Sequence, residues 1–205
     1  TWRRTGIGAR RGAAHRNPRE PAHGSPRATW SPNRPNRKTL LGVFDAALIP
    51  AMLARVHFAD RDRAPEVLAR VDVLFEGVPE VMAAKREALA FACSHLRPEA
   101  LLASTTSTML STELATAVTH PQRFLNAHWL NPAYLVPLVE MSPGKHTDPA
   151  VTARLKAMLE AIGKVPVICA AKPGYIVPRI QSLAMNEAAR MVEEGVASAE
   201  AVSYT

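Results

Sequence analysis

Aromatic residues make up only 5% of this 205-residue chain, and there are just two cysteines, Cys93 and Cys169. They lie far apart and form no C-x-x-C pair, which excludes a disulfide scaffold and a cysteine-based zinc site. Both read as small buried hydrophobes of a reduced, cytoplasmic protein, and no metal site is expected. Long apolar runs are missing too. Nothing approaches the roughly 20 consecutive apolar residues that a membrane-spanning helix needs. What is present is an apolar content of 47%, enough for the core of one ordinary domain.

Acidic residues are scarce in one place only. Residues 1–40 contain ten Lys/Arg against a single acid, Glu20, whereas the remainder carries fifteen bases and seventeen acids. The net charge of +7 is therefore a property of the first stretch, and the rest is a mildly acidic globular sequence. Five prolines and almost no aliphatic residues leave residues 1–40 without a period of 2 or 3.6, the composition of a disordered segment. The prolines also argue against an amphipathic targeting helix. Non-specific phosphate binding by such a stretch ranks below its being a non-functional extension.

From Leu41 the texture changes to alternating strand and helix patterns. Val43 to Val56 is apolar at helical spacing through Phe44, Leu48 and Met52. Val71–Glu76 has the length and composition of a buried strand, and Pro79 precedes a helix with Val81, Met82, Leu89 and Ala92 on its apolar stripe. Ala100–Ala103, Phe124–Trp129, Tyr134–Met141 and Val165–Cys169 are further strand candidates. Asp148-Pro149 opens a helix as N-cap and first helical residue, with Val151, Leu155, Met158, Leu159 and Ile162 as its core face and Gly163 at its end. Gly174 precedes a long helix from Tyr175 to about Glu194, and another helix begins at Ser198. This order predicts an α/β fold, a predominantly parallel sheet with helices on both faces, followed by the start of an all-helical unit. The expected boundaries are 1–40 for the basic segment, 41–173 for the α/β domain and 174–205 for the helical start.

Chemistry concentrates between Leu102 and Glu140. There a hydroxyl-rich turn, Ser104-Thr105-Thr106-Ser107, follows one apolar run. His128-x-x-Asn131-Pro132 follows a second, and Glu140 closes a third. Open α/β sheets keep their ligands at the ends of buried strands, so a Ser, a His and a Glu delivered there form a candidate acid/base site.

The blocks STTS, HWLNP, LVPLVE, GKVPVICAAKPGYIVPRI and NEAARMVEEGVAS, in this order over roughly residues 56–199, resemble the 3-hydroxyacyl-CoA dehydrogenase family. The resemblance implies a Rossmann-type NAD-binding domain followed by a helical domain that dimerises. It implies oxidation of an L-3-hydroxyacyl-CoA to the 3-ketoacyl-CoA, with hydride passing to NAD. A related dehydrogenase of a non-CoA hydroxy acid, or a non-catalytic remnant of the fold, are the alternatives. By the same resemblance His128 is the general base, Glu140 its orienting carboxylate and Ser107 the ligand of the substrate hydroxyl, lying against the nicotinamide. Glu80 and Lys85 match a cofactor-contacting pair, and Asn131 a residue near the carboxamide end of the cofactor. Thr106 and Thr108 read as turn residues.

Three departures from the family pattern stand out. Gly6, Gly8 and Gly12 give G-x-G-x-x-x-G, one residue longer than the dinucleotide fingerprint and without a strand before it or a helix after it. The first βαβ unit is thus atypical or missing, and no cofactor contact is assigned to these glycines. Pro178 stands where the family places an asparagine that helps polarise the substrate. Only about the first thirty residues of the helical domain are represented.

Overall fold

The computed structural model describes residues 45–204. The basic stretch 1–40, its glycine pattern and the helix start before Asp45 lie outside the described residues. The described residues fall into two units, divided between His57 and Phe58. In the first, a 3-10 turn over Ala46–Leu48 leads into α1, Ile49–Leu53. This is shorter than the helical pattern up to Val56 implies. Pro50 lies in its first turn, where a residue without an N–H is tolerated.

The second unit contains α2 (Ala64–Leu68), β1 (Val73–Glu76), α3 (Met82–Cys93), β2 (Leu101–Ser104), α4 (Ser111–Leu114) and β3 (Phe124–Trp129). There follow β4 (Leu138–Pro143), α5 (Pro149–Ala161), β5 (Val165–Ile168), α6 (Val177–Glu193) and α7 (Ala199–Ser203). The five strands form one sheet in chain order, β1-β2-β3-β4-β5. The β1–β2, β2–β3 and β4–β5 pairs are parallel, and β3–β4 is antiparallel. Loop length accounts for the exception: residues 130–137 are too few for a parallel crossover, which needs a dozen or more. The strand expected from Tyr134 starts only at Leu138. Before it, the N–H groups of Leu135 and Val136 donate to the Pro132 carbonyl in a turn.

Residues of β2 alternate between two cores, as a strand covered on both faces must. Leu102 packs with Leu89, Ala92, Leu114 and Phe124 on the α3 face. Leu101 and Ala103 pack with Leu125, Val139, Met141, Leu155 and Leu159 on the α5 face. The stripes differ in detail from the sequence pattern. In α3, Val81 is the exposed N-cap residue, and Lys85 is buried beside Leu89 and Ala92. In α5, Thr152, Leu155 and Leu159 face inward, while Met158 and Ile162 are exposed. Asp148 caps α5 as expected, accepting the Ala150 N–H, and Gly163 follows the helix with φ +78°. Cys93 and Cys169 are free thiols but only half-buried, because each lies near an element's end. No described helix is long and apolar enough to cross a membrane. The helix α6 has no buried residue and displays Ile180, Leu183 and Met185.

Candidate active site

His128 and Glu140 are direct cross-strand neighbours in the antiparallel β3–β4 pair, so both side chains leave the same face of the sheet. His128 Nδ1 lies 2.8 Å from Glu140 Oε2. The other oxygen, Oε1, accepts the backbone N–H groups of Ile176 and Val177 at 2.8 Å each. A carboxylate that accepts at both oxygens leaves the imidazole only one role at Nδ1, that of donor. The lone pair of the neutral ring then sits on Nε2. Glu140 is fully buried and His128 nearly so, which holds this tautomer away from competing water. The Tyr175 ring lies 5.9 Å from the imidazole, and the Tyr175 hydroxyl donates to the Met109 carbonyl at 2.6 Å. Burial, followed by the Glu80 carboxylate, pushes the Tyr175 phenol well above its usual range. It therefore remains a donor.

The hydroxyl turn after β2 is shaped by Glu80. One oxygen, Oε1, accepts the Thr106 hydroxyl, the N–H groups of Ser107 (3.1 Å) and Thr108 (3.0 Å), and the Thr108 hydroxyl (2.9 Å). Burial alone would raise this carboxyl. The hydrogen bonds from Thr106 and Thr108, with help from Lys85, outweigh it and hold the group at about 2. Glu80 thus fixes the backbone of Ser107. The Ser107 hydroxyl has no partner among the described residues and is exposed.

Lys85 points inward. Its Nζ reaches Glu76 Oε1 at 3.0 Å, Glu80 Oε2 at 3.4 Å and the Val78 carbonyl at 3.0 Å. Glu76 Oε2 also accepts the Ser104 hydroxyl at 2.6 Å. Lys85 is 1% exposed and so is spent on holding the carboxyl ends of β1 and β2 together. Asn131 lies after β3, at a cis bond to Pro132. Lys164 donates to the carbonyls of Ala133 and Val136 in the same loop and lies 5.6 Å from the centre of the Trp129 ring.

Of the residues singled out in the sequence, Ser107, His128 and Asn131 line one cavity of about 290 Å³, together with Pro178 and Gln181. Glu140 stands behind His128, and Glu80 behind Ser107. Lys85 does not line it. Sequence reasoning missed Thr106 and Thr108 as the clamp on Glu80, Tyr175 as a tie between two loops, and Gln181 as a cavity residue. A usable signal existed for Gln181, because it lies three residues after Pro178 and so on the same side of α6. Among the described residues no group of His, Cys, Asp and Glu could hold a metal ion.

Ser107, His128 and Glu80 all lie at or just beyond the carboxyl ends of β1, β2 and β3, the ligand side of an open α/β sheet. Sheet and site together define a Rossmann-like dehydrogenase domain. Residues 31–172 match the family described as 3-hydroxyacyl-CoA dehydrogenase, NAD binding domain. The chain belongs to this family. It is 37% identical over 135 residues to a 3-hydroxybutyryl-CoA dehydrogenase of Bradyrhizobium diazoefficiens, covering 66% of this chain and 46% of that protein. It is 28% identical over 164 residues to 5-formyl-3-hydroxy-2-methylpyridine 4-carboxylate 5-dehydrogenase of Mesorhizobium japonicum, covering 80% of this chain and 52% of that one. The structure of (S)-3-hydroxybutyryl-CoA dehydrogenase from Ralstonia eutropha superposes with a TM-score of 0.72 at 28% identity, over 80% of this chain and 57% of that one. The chain thus spans about half the length of the curated relatives it matches.

NAD is the cofactor of this family's domain, and the polar groups around the cavity fit one end of it. An ionised carboxylate such as Glu80 can accept from ribose hydroxyls, and Ser107 and Asn131 offer neutral groups to a carboxamide.

Proposed function

We propose that this chain carries the acid/base half of an NAD-dependent oxidation of an L-3-hydroxyacyl-CoA to the 3-ketoacyl-CoA. The observation that carries the reading is the buried Glu140–His128 pair, with His128 lining a cavity that it shares with the exposed Ser107. In this reading Nε2 of His128 takes the proton of the substrate hydroxyl, a task suited to an imidazole at neutral pH. Glu140 holds the ring's tautomer and stabilises the imidazolium that results. Ser107 donates to the same substrate oxygen and fixes its distance from Nε2. Glu80 holds the turn that presents Ser107 and, with its remaining acceptor capacity, meets the ribose next to the nicotinamide, while Asn131 meets the carboxamide. When bound, NAD supplies the hydride acceptor. Lys85 acts in this scheme through Glu76 and Glu80, as a support.

The test is NADH formation from 3-hydroxybutyryl-CoA by the purified chain, paired with a fluorescence titration of the same chain with NADH. Turnover that disappears in His128→Gln supports the reading. NADH binding without any turnover of the thioester argues against it.

A second reading is oxidation of a hydroxy acid that carries no CoA. It is favoured by the likeness to a pyridine carboxylate dehydrogenase and by Pro178, whose ring offers the cavity no donor. Turnover of free 3-hydroxybutyrate in preference to its CoA thioester would select it.

A further inference from the structure

The cavity in front of His128 has two unlike walls. On one, Ser107 and His128 present a hydroxyl and an imidazole, both able to meet a carbinol oxygen. The other wall is the first turns of α6, where Pro178 contributes only ring carbons. Gln181 follows one turn later on the same side of the helix, and it lines the cavity as well. Gln181 is exposed and its amide has no hydrogen-bond partner among the described residues. Among the described residues, no lysine or arginine lines this cavity. Among the lining side chains, the neutral donors beyond Ser107 and His128 are the amides of Gln181 and Asn131 and the indole N–H of Trp129, and of these only Gln181 lies on the α6 wall.

A 3-hydroxyacyl or 3-oxoacyl group carries a second oxygen, on C1, two bonds from the reacting carbon. Holding the C3 oxygen alone leaves the molecule free to turn about that oxygen. A hydride can then leave from either face. A second attachment at C1 removes this freedom and is worth a large share of the orientation that such a reaction needs. We infer that Gln181 is a substrate-binding residue whose side-chain amide donates to the C1 carbonyl oxygen, the role that Pro178 cannot fill. The inference rests on the dehydrogenase reading above. The recognised chemistry is a carbonyl-type oxygen beta to the carbinol. A thioester carbonyl and a free carboxylate both provide one. A neutral amide with no accompanying cation suits the uncharged thioester oxygen better, because an unpaired carboxylate brought into such a cavity would keep an uncompensated charge.

The experiment is a titration of the 15N-labelled full chain with acetoacetyl-CoA and, separately, with acetoacetate, each with and without NADH. The His128 ring protons and the Gln181 side-chain N–H signals report occupancy. Gln181→Leu assigns the amide signals and, at an exposed helical position, keeps a good helix former. Gln181→Glu keeps the length and removes the donor. The expected result is a shift of both reporters with acetoacetyl-CoA and a loss of about tenfold in affinity in both variants. The His128 shift should persist at saturation. Acetoacetate should bind more weakly than the thioester, and the opposite order would move the assignment to a carboxylate oxygen. Equal affinity of wild type and Gln181→Leu, with His128 still responding, would overturn the role of Gln181 and leave the dehydrogenase reading standing. No response of His128 to either compound would overturn both.

Discussion

Around Lys85 each charged atom finds its partner inside the protein. Around His128 the partners stop halfway. Lys85 spends its ammonium on Glu76, Glu80 and the Val78 carbonyl, and Glu76 answers with bonds to Ser104 and the Val78 N–H. At the neighbouring strand ends, Glu140 is satisfied at both oxygens, yet His128 Nε2, the Ser107 hydroxyl and the Gln181 amide are left without partners among the described residues. Both regions lie on the carboxyl side of one sheet, both are rich in polar groups and both contain a buried carboxylate. The contrast separates polar groups that hold the fold from polar groups kept for a ligand. A closed network rigidifies, whereas an open one next to a cavity has capacity left for a substrate.

The largest effect should come from breaking the closed network. Lys85→Ala leaves the Glu76 carboxylate, nearly fully buried, without its counter-charge, at a cost of about 3–5 kcal/mol. Urea unfolding would read this as a large fall in midpoint. Replacing both partners, Glu76→Leu with Lys85→Met, should restore much of the loss. Next in size is the open network. Glu140→Gln keeps the acceptor oxygen's shape but withdraws the charge that balances an imidazolium. Turnover of 3-hydroxybutyryl-CoA should drop by about 10²- to 10⁴-fold with little change in NADH binding. If Glu140→Gln costs mainly stability and spares turnover, the two regions are of one kind and the contrast fails.

The contrast also explains which parts could be read from the sequence. Strand and helix order, the capped start of α5 and the cluster of Ser107, His128 and Glu140 follow from local patterns, because apolar periodicity and turn residues act over a few positions. The pairing of His128 with Glu140 was implied by the family resemblance, and the antiparallel turn between them comes from the length of residues 130–137. Lys85 was harder. A lysine on a helix ordinarily marks a solvated face, and only the strand-end Glu76, nine residues earlier, turns it inward. Likewise Thr106 and Thr108 look like any turn hydroxyls until Glu80 arrives from 26 and 28 residues away. The inward face of α5 was misjudged at Met158 and Ile162 for a related reason: a helix that covers a sheet buries a narrow stripe, and its apolar residues overran it. The glycine pattern of residues 6–12 lies outside the described residues.

Glu80 stands between the two regions, and acid should expose that position. Its carboxyl is held at about 2 against an ordinary value near 4.5. The folded state therefore binds fewer protons than the unfolded chain between these values. Its contribution is complete above about pH 4.5 and lost as pH falls towards 2. In an acid titration, wild type should lose its advantage over Glu80→Gln within that window. The effect should be modest, since 38% of the Glu80 side chain is exposed and solvent screens it. Curves that stay parallel through the window would mean that the Thr106–Thr108 clamp does not depend on the charge.

The smallest expected effect tests whether the open region needs a tie of its own. Tyr175 has φ +43°, in the left-handed region that an aromatic residue rarely adopts, directly after Gly174 at φ +71°. Such a backbone persists only where the surroundings fix it, and here burial of the ring and the hydroxyl's bond to the Met109 carbonyl do so. The next two residues, Ile176 and Val177, donate to Glu140. One side chain thus links the loop after Ser107 to the helix start that grips the carboxylate behind His128. Tyr175→Phe keeps the ring and the backbone and removes only the hydroxyl, so about 1 kcal/mol of stability should be lost. If the tie matters to the site, amide hydrogen exchange should quicken at Ile176 and Val177 and at the turn around Met109, while the β1–β2 pair stays protected. Uniformly faster exchange across the sheet would make Tyr175 an ordinary core residue, and the open region would then be held by Glu140 alone.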